Sequence, residues 1–201
     1  MRPWDIELWG ANIEVGACVQ LQAAKGQMIR LTVWDNGERQ GRITLGDYVL
    51  ISPGTQIVSS IGVTIGKNTM IASGCYLSDS DWHDTYDRTA EGAKYAPVTL
   101  HENVWLGVRS IVGKGVTIGR NSIIGAGSVV VTDIPADSIA AGNPARVIRP
   151  LDPQRELRTR ADLFADPDKL SADTDALQRH LARQETLWGW LRSLFFPTQS
   201  D

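Results

Sequence analysis

Cysteine and histidine are both scarce in this chain, with two and three copies in 201 residues. Cys18 and Cys75 stand far apart with no Cys-x-x-Cys pairing, which argues against a zinc ribbon or a disulfide framework. Cys75 reads as a small buried hydrophobe rather than a reactive thiol. An excess of charge of one sign is also lacking. The net charge of -3 leaves no basic footprint for nucleic acid, though it is compatible with a local basic patch for a phosphorylated cofactor. No apolar run reaches the length of a membrane span, and Met1 to Glu7 has nothing of a secretory signal. These absences predict a protein of the reducing cytoplasm. The 42% hydrophobic and 21% charged residues are those of an ordinary globular chain, enough for one well-filled core and an appended piece.

What is present is a hydrophobic beat of six. Leu45, Ile51, Ile57, Ile65, Ile71, Leu77, Leu106, Val112, Ile118, Ile124 and Val130 each open a hexapeptide, and most are followed by Gly or Ala. A period of six fits neither a helix nor an alternating strand. It describes a repeating coil with one inward residue per beat, a parallel β-helix of the all-β class. Three hexapeptides make a coil of roughly 18 residues, with Gly, Asn or Asp where corners favour positive φ. Val63-Thr64-Ile65-Gly66-Lys67-Asn68 and Val116-Thr117-Ile118-Gly119-Arg120-Asn121 repeat almost verbatim.

Residues 1 to about 44 carry weaker repeats and a turn at Trp34-Asp35-Asn36-Gly37, as degenerate opening coils or a cap would. A two-residue slip at Ser59-Ser60 and a long excursion over 78–98 break the beat. Such an excursion costs closure entropy and usually carries function. Residues 1–150 are therefore assigned to the β-helix. After Pro150-Leu151-Asp152-Pro153 the composition predicts a C-terminal α-helical extension over 151–201, with helices at about 154–164 and 172–196.

The excursion holds Asp79, Asp81, Trp82, His83 and Asp84. A histidine with a near-neutral pKa can take a proton from a hydroxyl or an amine, and a neighbouring carboxylate can fix its tautomer. A solvated polar loop accounts for the same residues equally well. Trp82 and Trp34 have faces suited to a sugar ring, or to anchoring the loop by burial. Asp79, Asp81 and Trp82 are the candidates for substrate binding.

The stretch His83-Asp84-Thr85-Tyr86-Asp87-Arg88, running through Pro97-Val98 to Asn103-Val104-Trp105-Leu106-Gly107, resembles the hexapeptide-repeat O-acetyltransferases. So does Ile124-Gly125-Ala126-Gly127-Ser128 followed by Gly142-Asn143-Pro144-Ala145-Arg146-Val147-Ile148-Arg149. That family includes galactoside and maltose acetyltransferases and enzymes that acetylate bacterial surface polysaccharides. The likeness covers about residues 43–150. It implies a left-handed β-helix, a homotrimer, and acetyl-CoA in a groove between neighbouring subunits. It also implies His83 as general base on the acceptor hydroxyl; Asp79, Asp81 or Asp84 could orient that histidine. Trp105 and Gly107 match the coil beside the pantetheine arm, and Ala126 and Ser128 match the small-residue coil further along. Arg146 and Arg149 match arginines near the CoA phosphates, where a guanidinium fork suits the anion. Gly107 and Ala126 read equally well as plain corner residues. The family's frequent Thr-Lys is Val131-Thr132 here, which leaves Lys114 or Arg109 to supply one basic contact.

The implied reaction is acetyl transfer to a hydroxyl of a sugar or a surface-glycan precursor. An amine acceptor (an amino sugar or an antibiotic) and a non-catalytic assembly subunit are the alternatives. His101 and His180 do not pair with His83 as zinc ligands would, so no metal is expected. The aromatic tail Leu187 to Phe196 is expected to pack on the β-helix or a partner subunit, in preference to lying peripherally on the inner membrane face.

Overall fold

The computed structural model describes residues 3–35, 37, 39–89, 94–166, 168, 170–172, 175, 176 and 179. The chain divides into two compact units, residues 1–160 and 161–201. The first is a left-handed parallel β-helix whose strands, numbered in chain order, visit three sheets in turn. Sheet one stacks β1 (Ile6–Trp9), β4 (Ile29–Val33), β7 (Gln56–Ser59), β10 (Tyr76–Ser78), β13 (Ile111–Val112) and β16 (Val129–Val130). Sheet two stacks β2 (Ile13–Val15), β5 (Ile43–Leu45), β8 (Val63–Ile65), β11 (Val98–Leu100) and β14 (Thr117–Ile118). Sheet three stacks β3 (Gln20–Leu21), β6 (Leu50–Ile51), β9 (Met70–Ile71), β12 (Trp105–Leu106), β15 (Ile123–Ile124) and β17 (Ser138–Gly142), and β18 (Ala145–Pro150) closes it as an antiparallel hairpin partner.

Every residue of the six-fold beat lies on a strand and is almost fully buried. Ile51, Ile71, Leu106 and Ile124 stack in register through sheet three, one continuous aliphatic column. Burying each such side chain contributes about 1.5–3 kcal/mol. Leu100 joins the column of Ile65 and Ile118 in sheet two, although the long excursion hides it from the beat. The corner between sheets two and three explains the recurring asparagines. Asn68, Asn103 and Asn121 have φ of 63, 57 and 60°, where a short polar side chain is tolerated. Asn103 Nδ2 donates to Asn121 Oδ1 at 3.1 Å, and Asn121 Nδ2 donates to the Asp137 carboxylate at 2.6 Å.

The opening residues form true coils, because β1, β2 and β3 pair in parallel with β4, β5 and β6. The turn at Trp34 is an insertion between β4 and β5. Insertions after β4, β7 and β10 all leave from the corner between sheets one and two. Val112 stacks on Val130 eighteen positions later, the regular coil, whereas Leu77 stacks on Val112 thirty-five positions later. The surplus is the excursion.

The helix expected over 154–164 is reduced to a short 3-10 helix, Arg160–Phe164. Long-range bonds explain the difference. The Arg160 guanidinium donates to the Tyr48 carbonyl at 2.8 Å and to Gln20 Oε1 at 2.6 Å, tertiary bonds that hold the chain up to Arg160 on the coils and override its local helical propensity. In the second unit, Leu170 N–H donates to the Asp166 carbonyl, and Ala172, Asp175, Ala176 and Arg179 are helical. His180 and the aromatic tail lie outside the described residues.

Candidate functional site

The excursion after β10 is held at its neck by backbone pairing. Ser80 bridges Tyr95, Asp81 N–H donates to the Lys94 carbonyl at 3.2 Å, and Ala96 N–H donates to the Asp79 carbonyl at 3.0 Å. Asp79 is completely buried. Its carboxylate accepts the N–H groups of Ser60 (2.8 Å), Ile61 (2.9 Å) and Gly62 (2.7 Å) and the Ser59 hydroxyl (2.9 Å). A buried carboxylate persists only when satisfied in this way. Asp79 therefore clamps the loop to the coil before it, and its oxygens are not presented to a substrate.

The other two carboxylates are also engaged. Asp81 forms a 2.7 Å ion pair with Lys114, which places Lys114 beside the loop rather than with the candidate cofactor residues. Asp84 accepts the N–H groups of Asp87 and Tyr86, and these bonds hold its carboxyl below the ordinary carboxylate range. Among the described residues none of these three carboxylates bonds the His83 ring. His83 is exposed, and its backbone N–H donates to the Asp81 carbonyl at 2.8 Å. The residue before it, Trp82, sits at φ 65°, a left-handed conformation that costs a non-glycine residue about 1–2 kcal/mol. That strain turns the Trp82 indole back toward the opening coils.

There it meets an aromatic ladder. Trp9 and Trp34 lie edge to face with centroids 4.7 Å apart, and Trp34 and Trp82 follow at 5.6 Å. A cavity of about 140 Å³ lies beside this ladder, lined by Trp34, Asp35, Arg39, Ser60, Trp82 and Tyr95. The Arg39 guanidinium stands 4.4 Å over the Tyr95 ring. Sequence reasoning missed Arg39, Ser60 and Tyr95. The available signal was that Trp34, the Ser59-Ser60 slip and Trp82 follow successive strands of one sheet.

The candidate cofactor residues lie elsewhere on the coil. Trp105, Ile123, Ile139 and Arg149 are neighbours across four strands of sheet three, with Trp105 and Arg149 exposed. Arg146 is exposed on the same hairpin and pairs with Ala141. Gly107 and Ala126 occupy the corner from sheet three to sheet one, and Arg109 is exposed beside them. A Cβ on Gly107 would stand 2.6 Å from the Ala126 nitrogen, so that glycine is required by the next coil whatever else it does. Ser128 is fully buried; its hydroxyl donates to the Gly125 carbonyl at 2.7 Å and accepts the Gly142 N–H at 3.1 Å. Cys75, also buried, points its thiol at the Gly107 carbonyl, and burial pushes its pKa up to about 11.

Two groups of residues thus sit at two different corners of the prism, with sheet one between them. Sheet one there spans about six residues, roughly 20 Å. Among the described residues no three His, Cys, Asp or Glu side chains are placed to hold a metal ion, and no helix is long and apolar enough to cross a membrane.

Residues 97–132 match the family model described as bacterial transferase hexapeptide (six repeats). That match covers the last regular coils of the β-helix. The chain is 46% identical to galactoside O-acetyltransferase of Escherichia coli over 94 residues, 46% of either chain. It spans about half the length of the curated relatives it matches. A hexapeptide-repeat containing acetyltransferase from Vibrio cholerae superposes with a TM-score of 0.50 at 26% identity, covering 69% of this chain and 74% of the other. A variant of AntD, an N-acyltransferase from Bacillus cereus solved with dTDP-4-amino-4,6-dideoxyglucose and coenzyme A, superposes with a TM-score of 0.62 at 21% identity. That match covers 84% and 86% of the two chains and speaks to the fold.

Proposed function

We propose that this chain is an acetyl-CoA-dependent O-acetyltransferase acting on a hydroxyl of a sugar or a surface-glycan precursor, with His83 as general base. The observation that carries the reading is the construction of the loop. An otherwise regular coil nearly doubles its length, and a buried carboxylate and an ion pair fix the neck of a loop that leaves one histidine in the open. A purely structural coil has no use for that arrangement.

The chemistry follows from the residues. Acetyl-CoA supplies an acetyl thioester. His83 takes the proton of the acceptor hydroxyl as the oxygen bonds the thioester carbonyl carbon; the carbon–sulfur bond then breaks and the thiolate recovers a proton from the imidazolium. The exposed Trp105 face, with Ile123 and Ile139 beside it, offers an apolar track for the pantetheine arm, and Arg149 and Arg146 at its end suit the phosphates. Gly107 and Ala126 let that arm approach the corner backbone, and Ser128 supports the corner from within.

Because one chain keeps the His83 loop and the Trp105–Arg149 column at separate corners, the reading includes a homotrimer, in which each loop meets a neighbour's column. The exposed, unpaired Cys18 fits the reducing cytoplasm, where acetyl-CoA is made.

The test is thiol release from acetyl-CoA by wild type and His83→Ala over sugars, nucleotide sugars and amines. A hydroxyl acceptor should support release that falls at least about 100-fold in the variant, with acetyl-CoA binding retained. Equal rates would remove His83 as the base. Release only with amines would replace the O-acetyl reading with an N-acetyl one, and absence of acetyl-CoA binding would leave an assembly subunit.

A further inference from the structure

The excursion is clamped from both sides. The coil before it holds the Asp79 carboxylate, and the coil after it meets the loop at Gly113-Lys114-Gly115, the corner between β13 and β14. Lys114 Nζ pairs with Asp81 at 2.7 Å on the outgoing limb, and Gly115 N–H donates to the Ala96 carbonyl at 2.9 Å on the returning limb. Asp81 in turn begins the turn that presents His83. Its carbonyl accepts the His83 N–H at 2.8 Å, and Trp82 between them stands at φ 65°. A hydrogen bond of that span across a positive-φ residue makes the rarer of the two γ-turns, a strained conformation. Such a turn persists only where its surroundings over-determine it. Trp82 N–H donates to the Ser80 hydroxyl at 3.0 Å, and Asp81 N–H donates to the Lys94 carbonyl at 3.2 Å, both bonds within the loop. The Lys114 ammonium ties the same turn to a regular coil.

Resting on the O-acetyltransferase reading, we propose that Lys114 is a positioning residue: through Asp81 it fixes the γ-turn at Trp82 and so sets where the His83 imidazole stands. In this role Lys114 touches neither substrate, and its effect falls on the rate of the proton transfer rather than on binding. A pair with 28% and 42% of its two side chains exposed adds little to global stability. Its use is geometric, because it acts on the backbone of the residue two places before the histidine. The Lys67–Glu102 pair, 3.3 Å long on the corner between sheets two and three, has the same chemistry at a different corner and serves as the internal control.

The experiment compares full-length wild type with Lys114→Met, Lys114→Arg, Asp81→Asn, the Lys114→Met/Asp81→Asn double variant and Lys67→Met. Lys114→Met should lower kcat about tenfold, since a small displacement of a reacting group costs that much or more. KM for both substrates and Tm should stay at wild-type values. Asp81→Asn should do the same, and the double variant should be no worse than either, as expected of two groups acting as one. Lys114→Arg should recover most of the rate, and Lys67→Met should keep all of it. In the resting protein the C2 proton resonance of His83, identified by its loss in His83→Ala, should shift or broaden in Lys114→Met and return in Lys114→Arg. A His83 resonance unmoved in Lys114→Met would overturn the proposal. So would a loss of kcat matched by a fallen Tm, which marks a stability role, or a raised acceptor KM in Asp81→Asn alone, which would give Asp81 to the substrate. A displaced resonance with unchanged kcat would keep Lys114 as the holder of the turn and remove His83 as the base. The spectrum needs no acceptor, so failure of the transferase reading leaves it decisive.

Discussion

The buried carboxylate of Asp79 accepts the backbone N–H of Gly62 at 2.7 Å, across the corner that separates two coils. With the N–H groups of Ser60 and Ile61 on the same carboxylate, this is the joint between the catalytic loop candidate and the regular stack. Asp79→Ala strands those donors and is expected to cost about 3 kcal/mol, read by urea denaturation. Asp79→Asn keeps one acceptor oxygen and should recover a large part of that loss. An Asp79→Ala protein as stable as wild type would show that water takes over the joint.

Much of this architecture was legible because the six-fold beat is a direct record of inward-facing side chains. Ile51, Ile71, Leu106 and Ile124 each read as inward-facing, while their stacking into one column, across the slip and the excursion, shows only in the fold. Asp79 could not be read correctly. A carboxylate in a polar loop looks alike in sequence whether it serves a substrate or three backbone donors, and only the fold of the preceding coil distinguishes them. The helix expected over 154–164 failed for a similar reason, since the bonds of Arg160 to Tyr48 and Gln20 lie far away in sequence. The cavity was half visible: Trp34 and Trp82 were singled out, but Ser60, Arg39 and Tyr95 join them only once three coils stack.

Cys75 and Cys18 should differ sharply toward thiol reagents. Cys18 is exposed and Cys75 is buried with its pKa near 11, so a disulfide exchange reagent at neutral pH should titrate one thiol quickly and the second only after unfolding. The same shift predicts a pH effect. The folded thiol holds its proton above the ordinary 9.0, where the unfolded thiol ionises. Stability from this group is therefore full below about pH 9 and declines toward pH 11, by about 1.4 kcal/mol per pH unit. Wild type should lose more stability than Cys75→Ala between pH 8.5 and 10.5; parallel losses in the two proteins would refute the shift.

Gly107 separates packing from ligand contact. A methyl group there meets the Ala126 nitrogen at 2.6 Å and the Ile124 carbonyl oxygen at 2.7 Å, both backbone atoms that cannot swing aside. Gly107→Ala should destabilise the fold by about 1–3 kcal/mol, seen as a lowered Tm with or without acetyl-CoA. Ala126→Ser, on the exposed side of the same corner, should leave Tm within a degree or two. If Gly107→Ala melts as wild type does, the tight approach of the two coils is wrong.

Trp105 and Arg149 share one outward column of sheet three, and the proposed function assigns them different parts of the same ligand. Trp105→Ala removes an apolar face and Arg149→Ala removes a charge, so their effects should part with salt. Both variants should raise KM for acetyl-CoA about tenfold at low ionic strength, equivalent to about 1.4 kcal/mol each. The Arg149→Ala defect should shrink at 0.5 M salt, because screening weakens the charge–phosphate attraction in wild type as well. The Trp105→Ala defect should persist there, since dispersion and burial are indifferent to screening. Both side chains are exposed, Trp105 at 45%, so stability should hold in each variant. Equal salt dependence in the two variants would dissolve the division of the column into an apolar track and a phosphate end.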